Sequence, residues 1–147
     1  MVLGDRTDPY LDFRYVVEVG ETKAGFAEVS GIEVEVETEE YQEGGVNHHP
    51  HVLPTRASQG NVTFRRGMTD DALLWSWAMA ATRGQAERKL VRVVLQDRLG
   101  RETVGWEFHR SLPVRWVGPD LAGDRGEVAI EELELAYETI TRHGGNQ

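Results

Sequence analysis

The sequence predicts a mainly β protein: a β-sandwich or barrel of seven or eight short strands with one flanking α-helix. Apolar and polar residues alternate along most of the chain, the two-residue period of a strand with one covered face. One stretch alone, Asp71 to Arg83, carries helical spacing. Glycine and proline clusters cut the remainder into pieces of strand length.

Met1–Pro9 is a polar leader, and Phe13, Tyr15, Val17 and Val19 mark the first strand. Gly20–Lys23 turns into Phe26–Ser30, so the first two strands are expected to form a hairpin. A long strand follows from Ile32 to about Gln42. Residues 43–60 hold three glycines and two prolines with no period, and are expected to form a long functional loop. Asn61–Arg66 resumes the alternation through Val62 and Phe64.

Thr69, Asp70 and Asp71 offer a capping hydroxyl and two carboxylates to the positive first turn of the helix. Leu74, Trp77, Ala78 and Ala81 share its apolar face, Trp75 falls beside that stripe, and Gly84 stops it. Lys89–Gln96 and Thr103–His109 form a second hairpin around Asp97–Gly100. Leu112, Val114 and Trp116 mark a short edge piece, because Pro113 has no N–H for a ladder. The last element, Glu127–Ile140, has helix-forming composition. Yet Val128 and Ile130 alternate, and Leu133, Leu135 and Tyr137 alternate one residue out of step; a strand with a β-bulge at Glu131–Glu132 absorbs that shift.

The long strand is the most informative stretch. Ile32, Val34 and Val36 fall on one side and are expected to face the core. Glu33, Glu35 and Glu37 fall on the other, and three carboxylates in a file repel one another, so that face must look onto water. Gly25 and Gly31 bracket the segment before it, and Gly44–Gly45 closes it.

A chain of 147 residues suits one domain, residues 1–147, with a single core. Its net charge of −9 argues against a nucleic-acid backbone or an anionic membrane as main partner. There is no cysteine, hence no disulfide, thiol nucleophile or cysteine metal site. No secretion signal and no apolar run of membrane-spanning length is visible.

Few residues invite a chemical role. His48, His49 and His51 could share a metal ion, but neighbouring histidines rarely converge without strand or helix geometry, and Pro50 fixes the chain between them. The acidic file lacks the spacing of a calcium loop. Asp70/Asp71 and Glu131/Glu132 are adjacent, which is not a catalytic geometry, and Ser30 and Ser58 lack a nucleophile elbow. Solvated surface is the simpler reading of each, the Trp-rich helix face is the simplest core, and nothing nominates an enzyme.

The string GFAEVSGIEVEVE, followed by YQEGG, resembles the signature of the tail-tube (inner-tube) proteins of contractile phage tails and extracellular contractile injection systems. The likeness continues through Arg66-Gly67 ahead of the helix with Trp77, Asp97 and Gly100 in the hairpin turn, Trp106, Pro113 and Trp116. It ends with Gly118-Pro119-Asp120-Leu121 and EVAIEELELAYE, so that it spans Tyr10 to Thr141 and leaves 1–9 and 143–147 as tails. The resemblance implies a sandwich with one flanking helix, assembled into hexameric rings stacked as a hollow tube. It implies as partners other copies of the chain, a contractile sheath, a baseplate and spike hub, a tube terminator, and protein cargo or DNA in the lumen.

It implies no catalytic residue, no metal and no cofactor. Glu33, Glu35 and Glu37 are then expected to line the lumen. Glu43, Gly44, Gly45, His48, His49, Pro50, His51, Pro54 and Arg56 are expected in an inter-ring or inter-subunit loop. Such a subunit is assembled in the cytoplasm of the producing cell, becomes part of a particle, and binds no membrane when free. A baseplate tube initiator and a type VI secretion tube protein share the fold. A monomeric ligand-binding β-barrel is a different class, and would set apolar residues around its cavity.

Overall fold

The computed structural model describes residues 14–41, 51–123, 126 and 128–144, without the side chains of residues 37, 41 and 51–59. Alternation becomes strand almost throughout: β1 (Arg14–Val19), β2 (Thr22–Ala24), β3 (Glu28–Ser30), β4 (Val34–Tyr41), β5 (His51–Gln59), β6 (Val62–Gly67), β7 (Lys89–Gln96), β8 (Glu102–Val117), β9 (Ile130–Ala136) and β10 (Thr139–Gly144). Leu73–Thr82 forms the helix, α1. The main sheet is antiparallel in the order β2-β1-β7-β8-β9-β6-β3, with β10 also on β8, while β4 and β5 form a separate two-stranded sheet.

The long β8 makes one sheet fold over on itself. Its first half pairs with β7 and β10, and its second half with β9. The corner falls at Arg110, whose φ of 54° is a left-handed conformation that a non-glycine residue holds only when its surroundings impose it. Those surroundings are visible. Ser111 is buried and its hydroxyl donates to the Phe108 carbonyl at 3.0 Å, Arg88 donates to the Arg110 carbonyl at 3.0 Å, and Arg110 Nε donates to Glu138 at 2.9 Å.

The bend stacks two apolar faces. Val17, Val19, Val91, Val93 and Phe108 from one half form a core with Val62, Phe64, Leu133 and Leu135 from the other, closed by Leu74 and Trp77 of α1. Each large side chain so buried stabilises the fold by about 1.5–3 kcal/mol. The Trp77 indole N–H, which would otherwise be a buried orphan, donates to the Glu87 carbonyl at 2.7 Å.

A charged pair also lies in this interior. Arg66 and Glu131, 5% and 2% exposed, meet at 2.9 Å across β6 and β9. Glu131 also accepts from the Trp116 indole at 2.8 Å, and the Arg66 guanidinium lies 5.5 Å over the Phe26 ring. This pair corrects the expected bulge at Glu131–Glu132. The ladder runs unbroken through Arg66↔Glu131 and Arg65↔Glu132, because Glu131 takes the core position in phase with Leu133 and Leu135. Val128 and Ile130 are exposed instead.

Four other expectations are corrected. The partner of β1 is β2, through Val19↔Thr22, whereas Phe26–Ser30 contributes β3, which crosses to β6 through Val29↔Phe64. Pro113 lies inside β8 opposite Leu135 and not in a separate short piece, while the expected edge position holds: residues 112–117 pair with β9 alone among the described residues, so the missing N–H breaks no ladder. A register shift between Pro113 and Arg115 leaves Val114 extra and exposed, so it does not share a face with Trp116, which opposes Leu133. The expected final strand is two, β9 and β10, and His143 lies in β10 rather than in a tail.

The helix starts later than Thr69. Thr69 Oγ1 accepts from the Asp71 N–H and Asp71 Oδ1 from the Leu73 N–H, so both serve the turn that leads in. Gly84, at φ 68°, ends the helix as expected. Among the described residues no helix is long and apolar enough to cross a membrane.

Candidate functional site

The feature with no role in the core is the β4–β5 hairpin. Its strands pair from Val34↔Gln59 to Tyr41↔His51, and a register shift between Glu37 and Thr38 sets Glu37 opposite Arg56 and Thr38 opposite Pro54. Pro54 is tolerated because a two-stranded ribbon leaves one side of each strand unbonded. The expected loop of residues 43–60 is therefore corrected over 51–59, which is β5. The long partner strand and the tolerance of the shift were not legible from a segment lacking period.

The hairpin's root is fixed. Gly31 adopts φ 86°, and a Cβ there would lie 2.6 Å from the Asn61 carbonyl oxygen. Ile32 packs against the core. The Tyr137 hydroxyl reaches the Glu33 carbonyl oxygen at 3.4 Å; burial, and then the negative charge of Glu33, raise its pKa above the ordinary tyrosine value. Sequence reasoning missed Tyr137 in this role, since only its place at the end of an alternating run was visible.

Beyond the root, both faces are open. Glu33 and Glu35 are exposed, as are Glu39 and Glu40. Val34 and Val36, expected in the core, are 60% and 50% exposed. The physical reason is that β4 joins the two-stranded sheet and not the main one, so no core lies behind it. A strand with one apolar and one acidic face, neither covered, is an unfinished surface.

The other candidate residues separate. Glu37, His51, Pro54 and Arg56 belong to the hairpin backbone. Glu43, Gly44, Gly45, His48, His49 and Pro50 lie outside the described residues. Asp71 serves the helix entry. Glu131 and Glu132 point to opposite sides: Glu132 joins Arg65 at 2.7 Å, and Arg65 also reaches Glu28 at 3.0 Å, tying β3, β6 and β9 across the outer face. Among the described residues no cluster of His, Cys, Asp or Glu is placed to hold a metal ion.

Among the described residues the architecture is a bent antiparallel sheet with a flanking helix and a separate two-stranded hairpin. The model of the T4-like virus tail tube protein gp19 family matches residues 11–141, and the chain belongs to that family of structural tube proteins. Solved structures agree in fold. A chain of the PVC sheath–tube complex, from an extracellular contractile injection system in its extended state, has a TM-score of 0.84 at 24% identity, over 93% of each chain. A chain of the anti-feeding prophage baseplate has a TM-score of 0.82 at 23% identity, over 94% of this chain and 97% of that one. Hcp1 from Flavobacterium johnsoniae is more distant, at a TM-score of 0.63 and 17% identity over 89% and 95%. A search of curated proteins found no match.

Proposed function

We propose that this chain is the repeating subunit of the inner tube of a contractile injection apparatus, six copies closing a ring and rings stacking into a hollow conduit. The observation that carries it is the hairpin with two uncovered faces. A free subunit that exposes Val34 and Val36 gains by burying them against another copy, while Glu33 and Glu35 keep their water if that copy leaves them facing a channel. Ring closure also removes exposed sheet edges.

In this reading Glu33, Glu35 and Glu37 line the lumen. A negative wall repels DNA or acidic cargo and eases its sliding, and holds basic cargo by an attraction that salt screens over about 8–10 Å. Glu43, Gly44, Gly45, His48, His49 and Pro50, with His51, Pro54 and Arg56, form the contact between rings or subunits. A sheath surrounds the tube, a baseplate and spike hub stand at its tip, and a terminator closes it. The particle is assembled in the cytoplasm of the producing cell and the free subunit binds no membrane.

The test is size-exclusion chromatography with negative-stain microscopy of the purified chain. Six-fold rings or tubes are expected, and a chain that stays monomeric at high concentration contradicts the proposal. The likeness to a baseplate chain favours a second reading, a tube initiator. Growth of long tubes from the chain alone separates the main subunit from an initiator that stops at one or two rings.

A further inference from the structure

At the hairpin's root the sandwich is open. Two adjoining cavities of about 270 and 280 Å³ share Ile32 and Trp106. Val34 and Ile140 line one of them, Tyr15 and Leu95 the other. Val36 extends the same apolar row outward along β4. Among the described residues the Tyr15 hydroxyl oxygen is buried with no hydrogen-bond partner. A buried hydroxyl without an acceptor is costly, and this one lies in the wall of an apolar opening.

A second exposed apolar patch lies at the Gly67–Ile130 end of β6 and β9, strands that contribute no residue to the two cavities. Tyr137 and Asn61 stand at the hairpin end of β9 and β6, where Gly31 meets Asn61. Met68, Val128 and Ile130 stand at the far end, where Gly67 pairs with Ile130, six residues or roughly 17–20 Å along the ladder. A ring is built from a head-to-tail contact, which joins two different patches of one chain and repeats. This chain carries two such patches, formed by different residues of one subunit.

We infer that the opening lined by Ile32, Trp106, Ile140 and Tyr15 is a socket for a second copy of this chain, which seats its Met68–Val128–Ile130 end there and offers Tyr15 a carbonyl oxygen. The inference rests on the tube reading and names the surface by which that assembly closes. The occupant is a second copy because the chain belongs to a tube family and both patches are its own. Leaving the patches uncovered would expose two apolar surfaces per subunit to water.

The chain has no cysteine, so introduced pairs report contacts directly. Val34→Cys with Val128→Cys, and Val36→Cys with Ile130→Cys, are oxidised after assembly and run on a denaturing gel. A ladder of covalent oligomers is expected from at least one pair and none from the single variants. Tyr15→Phe is expected to assemble only at about two- to tenfold higher concentration, because one intersubunit hydrogen bond is lost, while the unassembled subunit melts no lower than the unaltered chain. Rings of the unaltered chain with no ladder from either pair overturn the socket alone. A ladder with unchanged Tyr15→Phe assembly keeps the socket and removes the hydroxyl's part. A chain that forms no rings overturns the tube reading and the socket with it.

Discussion

Arg66 and Glu131 give the sharpest test of the interior. Each is nearly inaccessible, they meet at 2.9 Å, and each has further partners: the Trp116 indole on Glu131, and the Asp71 carbonyl on Arg66 at 3.4 Å. Glu131→Leu leaves a buried guanidinium whose remaining carboxylate is the half-exposed Asp71 at 3.8 Å, and should cost about 3–5 kcal/mol. At about 2–4 °C per kcal/mol for a chain of this size, the melting temperature should fall by roughly 6–20 °C. Arg66→Met should cost a similar amount. The double variant behaves differently. Replacing a buried pair by apolar groups can gain about 1–4 kcal/mol, but here the Trp116 indole N–H loses its acceptor, which costs about 1–3 kcal/mol. The two nearly cancel, so the double variant should be far more stable than either single one. Urea denaturation of unassembled subunits at low concentration measures all four species. Single variants costing under about 1 kcal/mol, the range of exposed pairs, would refute the reasoning, as would a double variant equal to the sum of the singles.

Excising residues 35–58 and joining the ends through a short turn should leave a folded subunit, since β4 and β5 belong to no other sheet. Tubes should be lost by microscopy, and tubes of normal length would contradict the hairpin's role. Gly31→Ala should destabilise the unassembled subunit by more than about 1 kcal/mol, because φ 86° is strained for alanine and its Cβ would meet the Asn61 carbonyl oxygen. An unchanged thermal transition would contradict this. The Asp97 carboxyl is held below its ordinary value of 3.8, first by the Arg101 backbone N–H and then by that residue's side chain and the Leu99 N–H. A carboxyl lower in the folded than the unfolded chain contributes stability above the unfolded value and loses it as pH falls through the folded one. NMR titration should therefore place the Asp97 midpoint below 3.8, and a midpoint at or above it would contradict the turn geometry.

Alternation in the sequence identified faces well and what covers them poorly. Val17, Val19, Val62 and Phe64 alternate and are buried, but Val34 and Val36 alternate as cleanly and are exposed, because β4 joins the two-stranded sheet rather than the main one. The apparent slip at Glu131 came from reading a carboxylate as outward; Arg66, in phase with Val62 and Phe64, was the available signal that an opposite charge awaited it. Pro54 and Pro113 masked strands for the same reason, since proline forbids only a bonded position and both residues stand where one side of the strand is free. The bend of β8 at Arg110 had no signal in its residue type, because neighbouring contacts impose the positive φ. The acidic file on β4 was legible as a wet face; which water it meets is a property of the assembly.

That last point is open to direct measurement. A cryo-EM reconstruction of the purified, assembled chain resolves where β4 lies within the ring. A closed six-fold ring with Glu33, Glu35 and Glu37 on the bore and Val34 and Val36 against the adjacent copy is the expected result. A hairpin on the outer wall, or those carboxylates buried at a contact between subunits, would contradict it.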